Sequence, residues 1–229
     1  MAGARLLTRV ANPAGARLLT RVANPFRRVS VTQLLSISCI TMSDKYKIFS
    51  GDETYFVTFT IVEWIKVLAD DNYKHLIIDA IKYYQKNKSL VIYGYCIMPN
   101  HVHMIVQAAG RFTISEILRD LKKFTSRGIV KKLKEEKPEG YLDILNQFIE
   151  AGKPLKRIKT YKVWQDGNMA KLLYSNKFLL EKLSYIHNNP VKYGLCSVPW
   201  GYKFSSATNY AEEESLLIVE LLSLHMNKG

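Results

Sequence analysis

Two runs rich in β-branched and aromatic residues, Ser89–Ile97 (SLVIYGYCI) and His101–Gln107 (HVHMIVQ), are separated only by Met98-Pro99-Asn100. A crossover to a parallel neighbour needs about a dozen residues or more, so so short a break allows only an antiparallel return. The two runs are predicted to be paired neighbours in a sheet, and every other element must pack around that hairpin. Side chains two apart on a strand share a face. His101 and His103 therefore point the same way, and Val102 and Met104 point into the core.

The remaining elements follow from periodicity. Thr54–Trp64 (TYFVTFTIVEW) is predicted as a strand. Asn72–Asn87 places Leu76, Ile77, Ala80, Ile81 and Tyr84 at helical spacing. Thr113–Lys134 is a long helix with Ile114, Ile117, Leu118, Leu121 and Phe124 on one face and Arg119, Lys122, Lys123 and Arg127 elsewhere. Thr113 and Glu116 form a capping box at its start. The charged stretch 135–159 reads as an insertion with a short helix at Tyr141–Glu150, and Thr160–Trp164 as a fourth strand. Asn176–Asn189 is a helix predicted to stop at Pro190, because the residue before proline resists helical geometry. Glu212–His225 is apolar enough for a last short helix. The order defines an α+β fold: a ferredoxin-like antiparallel sheet with helices packed on one face, plus a helical tail.

Residues 1–41 have a different texture. Ala2–Pro13 and Ala14–Pro25 both read AGARLLTRVANP, a tandem copy too short to build a repeat fold. This leader resembles a presequence or a basic arm; the preferred reading is a misassigned start, with Met42 the true one. The division expected is a disordered leader over 1–41, a catalytic domain over 42–210 and a tail over 211–229. Net charge is +13 over 229 residues, and the leader's six arginines account for nearly half of it; +7 remains. A basic balance attracts polyanions, nucleic acid above all. Cys39, Cys96 and Cys196 are scattered and odd in number, which argues against a disulfide framework and for a cytoplasmic setting. No apolar run reaches the roughly 18–20 residues of a membrane span, so no membrane partner is expected.

The chemistry-bearing residues start with the histidine pair. Two imidazoles on one strand face can chelate a divalent cation, or can be two satisfied polar groups in a sheet. Cys96 would allow a structural zinc site only with a fourth ligand that the sequence does not supply. On the helix before Pro190, Tyr185 and Asn189 share a face at i, i+4; the pair serves either a site or plain helix packing. His187 and Asn188 point elsewhere on that helix.

Four segments in order carry a resemblance. Gly94–Ile105 (GYCIMPNHVHMI) resembles the histidine motif of the HUH single-tyrosine transposases. Tyr185–Gly194 (YIHNNPVKYG) resembles their tyrosine helix, in the branch of REP-associated tyrosine transposases. Lys122–Arg127 (KKFTSR) resembles the basic helix between them, and Tyr202–Ala207 (YKFSSA) a tail motif. The likeness runs from about Lys45 to Tyr210.

The resemblance implies roles. His101 and His103 would be metal ligands, with Asn189 third where the insertion-sequence branch commonly has glutamine; Gln165 is a fallback. Tyr185 would be the nucleophile, and the metal Mg²⁺ or Mn²⁺. Lys122, Lys123, Arg127, Asn100 and Lys192 would contact DNA, with exposed aromatics stacking on unpaired bases. The substrate would be single-stranded DNA with hairpin structure, cut and rejoined through a 5′-phosphotyrosine by a monomer or a homodimer. Phenols, with a pKa of about 10, are poor nucleophiles at neutral pH, so the metal matters. The competing readings are a replication nickase or domesticated repeat processor with the same chemistry, a DNA-binding regulator of repeats without catalysis, and a hydrolase that uses water with Tyr185 as packing.

Overall fold

The computed structural model describes residues 53–155, 160–167 and 170–222. The tandem repeat, the proposed Met42 start and residues 223–229 lie outside the described residues. Strand β1 is Tyr55–Thr60, helix α1 Asp71–Lys88, strand β2 Leu90–Ile97 and strand β3 His101–Ala108. Helix α2 (Ile114–Glu136), helix α3 (Tyr141–Gly152), the two-residue strand β4 (Lys171–Leu172), helix α4 (Asn176–Lys192) and the single turn α5 (Ala207–Tyr210) follow.

The sheet order is β2-β3-β1-β4, antiparallel throughout. That is the ferredoxin-like arrangement expected. The hairpin forms where the sequence places it, with Cys96 opposite His103 and Ile97 opposite Val102. Across β3, Thr58 of β1 pairs with His103 and Thr60 with His101. The capping box of α2 is present: the Thr113 hydroxyl accepts from the Glu116 amide while the Glu116 carboxylate accepts from the Thr113 amide.

The cover of the sheet differs from the expectation of helices on one face. Phe59 of β1 points toward α2: it meets Trp164, whose indole donates to Thr125 Oγ1 of α2 at 3.0 Å, and it lies 5.6 Å from Lys122 Nζ. Phe56, of opposite parity, meets Tyr185 of α4. So α1 and α2 cover one face and α4 covers the other. The physical reason lies in the strands, because β3 is buried on both faces for most of its length, and a sheet apolar on both sides must be covered on both.

Four boundaries also differ. β1 ends at Thr60, because the chain turns into a 3₁₀ turn at Val62–Trp64 in which Glu63 (φ 50°) and Trp64 (φ 56°) are left-handed. That turn leaves Thr160–Trp164 a single bridge, Ile61 to Trp164, instead of a strand; β4 takes the sheet position beside β1. α4 runs through Pro190 to Lys192. Proline there forfeits one bond, to the Ile186 carbonyl, and the burial of Pro190 in the last turns offsets that loss. Finally, no helix forms over 212–222; the helical tail is the turn Ala207–Tyr210. The segment beyond it is tied down by Glu220 N donating to the Ile92 carbonyl and by buried Leu217. Among the described residues no helix is long and apolar enough to cross a membrane.

Candidate active site

The site is built from β3, β1 and α4. The hairpin register places both imidazoles on the face that α4 covers, with ring centroids 4.6 Å apart. Each ring is held by its Nδ1. That of His101 lies 2.7 Å from Asn100 Oδ1, and that of His103 lies 2.8 Å from Thr58 Oγ1. A partner on Nδ1 orients each ring; the Asn100 oxygen, an acceptor, calls for the Nδ1–H tautomer of His101, and the Thr58 hydroxyl is compatible with the same tautomer of His103, which leaves Nε2 with a lone pair. Asn100 is held in turn, its amide donating to the Trp64 carbonyl at 3.3 Å.

Both rings stay neutral well below pH 7. Burial pushes His101 down to about 4. Burial, then the neighbouring His101 and Lys182, push His103 down to about 3. His103 is only 4% exposed, and its Nε2 is buried without a hydrogen-bond partner among the described residues. A buried polar atom in that state costs about 1–3 kcal/mol unless something binds it. The donor set thus fits a divalent ion: two oriented, neutral imidazoles with Nε2 available. Among the described residues no group of three His, Cys, Asp or Glu could hold a metal, so any further ligands come from amides, water or substrate. Burial raises the Cys96 thiol far above its usual range, against a zinc thiolate.

Helix α4 brings the tyrosine. Tyr185 is 41% exposed, its ring edge-on to His103 at 5.3 Å and to Phe56 at 6.1 Å. Three features seat the helix. Ser175 caps its start by accepting from the Phe178 amide. Gly94, at a register shift in β2, lets Leu183 approach so closely that a Cβ there would lie 2.7 Å from Leu183 Cδ1. Buried His187 sits with Nε2 2.7 Å from Ser206 Oγ, which also accepts from Tyr95 N. Asn189 shares the Tyr185 face of α4, and its amide nitrogen donates to the Tyr185 carbonyl at 3.1 Å.

The structure therefore gathers His101, His103 and Tyr185, with Lys192 Nζ 5.9 Å from the Tyr185 ring. The other expected DNA contacts are placed differently. Asn100 is buried and orients His101 instead of facing solvent. Lys122 donates to the carbonyls of Gln165 and Gly167, closing a loop. Lys123 and Arg127 are exposed, but on the helix that covers the opposite face. Gln165 turns its amide nitrogen to the Ile61 carbonyl at 3.4 Å. Sequence reasoning missed Thr58, Trp64 and Lys182. Trp64 is 60% exposed, edge-on to His101 at 6.3 Å. Lys182 is one helical turn before Tyr185, a spacing that could have revealed it; Thr58 depends on strand register, which no local pattern shows.

The sheet is ferredoxin-like, as the HUH resemblance implied, and it sets paired imidazoles against a helix-borne tyrosine. Residues 53–145 match the model of the family described as Transposase IS200 like. The matching segment includes both histidines and ends before α4, so the likeness to that family covers strands β1 to β3 and not the tyrosine helix. In fold it is similar to a REP-associated tyrosine transposase solved bound to a REP hairpin (17% identity, TM-score 0.54, 80% of this chain and 96% of that one). A crystal structure of a transposase candidate from Deinococcus radiodurans R1 is a more distant match (17% identity, TM-score 0.34, 64% and 97%). No curated protein matches the chain.

Proposed function

We propose that this chain cleaves and rejoins single-stranded DNA, with Tyr185 as nucleophile and His101, His103 and Asn189 as ligands of Mg²⁺ or Mn²⁺. The observation that carries this reading is the unpartnered, buried Nε2 of His103 beneath the ring of Tyr185. A bound divalent ion would offset charge on the scissile phosphate. The chain's own residues orient the reaction. Thr58 and Asn100 hold the imidazoles, and α4 holds Tyr185 against them while its ring stays open to substrate. Attack by the Tyr185 oxygen forms the P–O(Tyr) bond and breaks the bond from phosphorus to the 3′ oxygen. The phenol proton is lost and the 3′ oxygen leaves as a hydroxyl, giving a 5′-phosphotyrosine. The reverse attack by a 3′-hydroxyl rejoins strands. With its amide nitrogen anchored on the helix, Asn189 would offer its oxygen as third ligand.

Hairpin DNA is the proposed partner, by analogy with the relative solved on a REP hairpin. Lys192, beside Tyr185, would meet phosphates, and exposed Trp64 would offer a stacking surface to an unpaired base. His101, His103 and Tyr185 come from one chain, which supports a site complete in a monomer. The test is a labelled hairpin with single-stranded flanks, incubated with Mn²⁺ and run on a denaturing gel. The expected result is a protein–DNA adduct absent from Tyr185→Phe. Cleavage that persists in Tyr185→Phe would replace this mechanism with hydrolysis by water. Binding without cleavage would favour a regulator.

A further inference from the structure

Six lysines among the described residues are buried or half-buried: Lys74, Lys88, Lys122, Lys132, Lys162 and Lys182. Five have an oxygen partner. Lys74 meets Asp71 at 2.8 Å, Lys88 meets Asp120 at 2.7 Å, Lys132 meets Glu136 at 2.7 Å and Lys162 meets Asp166 at 2.8 Å. Lys122 donates to two carbonyls. Lys182 has no hydrogen bond or ion pair among the described residues. Its Nζ lies instead among three rings, 5.3 Å from the centroids of Phe56 and Phe178 and 5.5 Å from that of Tyr185.

Ring faces attract a cation but do not accept all three ammonium protons. Lys182 is only half-buried, so protons that the rings do not take are left to water, which an arriving anion can displace. The charged surroundings agree. His103 and Lys171 add no negative charge, and Glu181, the neighbouring acid, is exposed. Burial, with Lys171 nearby, already lowers the Lys182 pKa.

We propose that Lys182 is the anion-binding residue of this site, its ammonium taking a non-bridging oxygen of the DNA phosphate that Tyr185 attacks. The role rests on the reading of Tyr185 as nucleophile. No bond to Lys182 forms or breaks; it offsets charge on the phosphate and holds phosphorus before the phenol.

The probe is the same fluorescein-labelled hairpin, titrated in EDTA at several salt concentrations, so that binding is read without chemistry. Lys182→Met is expected to bind about tenfold more weakly at low salt. Its log K against log salt slope should be shallower by about 0.7, the loss of one single-strand phosphate contact. Lys182→Arg keeps the slope. With Mn²⁺ and saturating hairpin, Lys182→Met also forms adduct more slowly and Lys182→Arg restores the rate, which a purely structural role would not produce. Lys182→Gln serves if the methionine variant melts early. A wild-type slope in both neutral variants overturns the proposal. So does an adduct rate unchanged at saturation, because the contact then lies away from the reacting phosphate. If the wild type forms no adduct, the reading of Tyr185 fails, while the salt slope still decides whether Lys182 binds phosphate.

Discussion

The two faces of the sheet are built to different standards. Toward α1 and α2 most polar groups are paired: Trp164 donates to Thr125 and Lys88 is paired with Asp120, Ile117 and Leu118 are fully buried, and the Tyr73 hydroxyl is a buried exception without a hydrogen-bond partner among the described residues. Toward α4 the pairing is left incomplete. Among the described residues the Nε2 of His103 has no hydrogen-bond partner and Lys182 no counter-ion, and Tyr185 stands partly in solvent. Unsatisfied polar groups destabilise a fold, and toward α4 His103 and Lys182 gather around the ring of Tyr185. One face supplies most of the buried pairing, and the other carries the residues of the proposed site.

The sharpest way to break this comparison is to exchange losses between the faces. Tyr185→Phe should abolish the adduct, yet change unfolding free energy in urea by less than about 0.5 kcal/mol, because the hydroxyl lies at a partly exposed position. Leu118→Ala should do the reverse. It should cost about 2–5 kcal/mol by urea unfolding, while the protein that remains folded cleaves at the wild-type rate. Equal effects of both substitutions on stability would dissolve the division.

Metal addition gives the next largest effect. Mn²⁺ should raise the melting temperature of the wild type, because an ion bound only by the folded state stabilises it by mass action. The shift should vanish in His103→Ala. A shift that survives would place the ion elsewhere.

Two glycines make a matched pair. A Cβ at Gly94 would meet Leu183 of α4 at 2.7 Å, and one at Gly128 would meet Leu76 of α1 at 2.6 Å. Each alanine should cost about 1–3 kcal/mol from overpacking. Only Gly94→Ala should also slow adduct formation, since it displaces the helix that carries Tyr185; Leu183→Ala in the same chain should recover part of the rate.

The smallest effect is on pH dependence. Burial holds His187 down to about 3 in the folded protein, while an unfolded histidine titrates near 6.5. The unfolded state then binds the extra proton first as pH falls. The stability from a neutral His187 is present above about pH 6.5 and is lost progressively toward pH 3. Melting temperatures from pH 7 to 4.5 should fall less steeply in His187→Gln than in the wild type.

Local patterns carried much of this. The three-residue break between two apolar strands required the hairpin, and strand parity put His101 and His103 on one face, because both depend on covalent geometry over a few residues. Helical spacing put Asn189 on the face of Tyr185, and the capping box of α2 was readable for the same reason. Other features depended on partners distant in sequence. Asn100 was read as a DNA contact because an exposed and a buried asparagine look alike in sequence; only the turn at Trp64 showed it holding His101. Lys122 and Lys182 are both lysines on amphipathic helices, and only packing showed one closing a loop and the other set among three rings with no ion pair among the described residues. The sequence by itself determined which elements form and which residues share a face, since backbone sterics and hydrophobic period act locally. The tertiary structure alone decided that α4 crosses to the opposite face from α1 and α2, because that follows from a sheet buried on both sides. It thereby decided that Tyr185 meets the histidines within one chain.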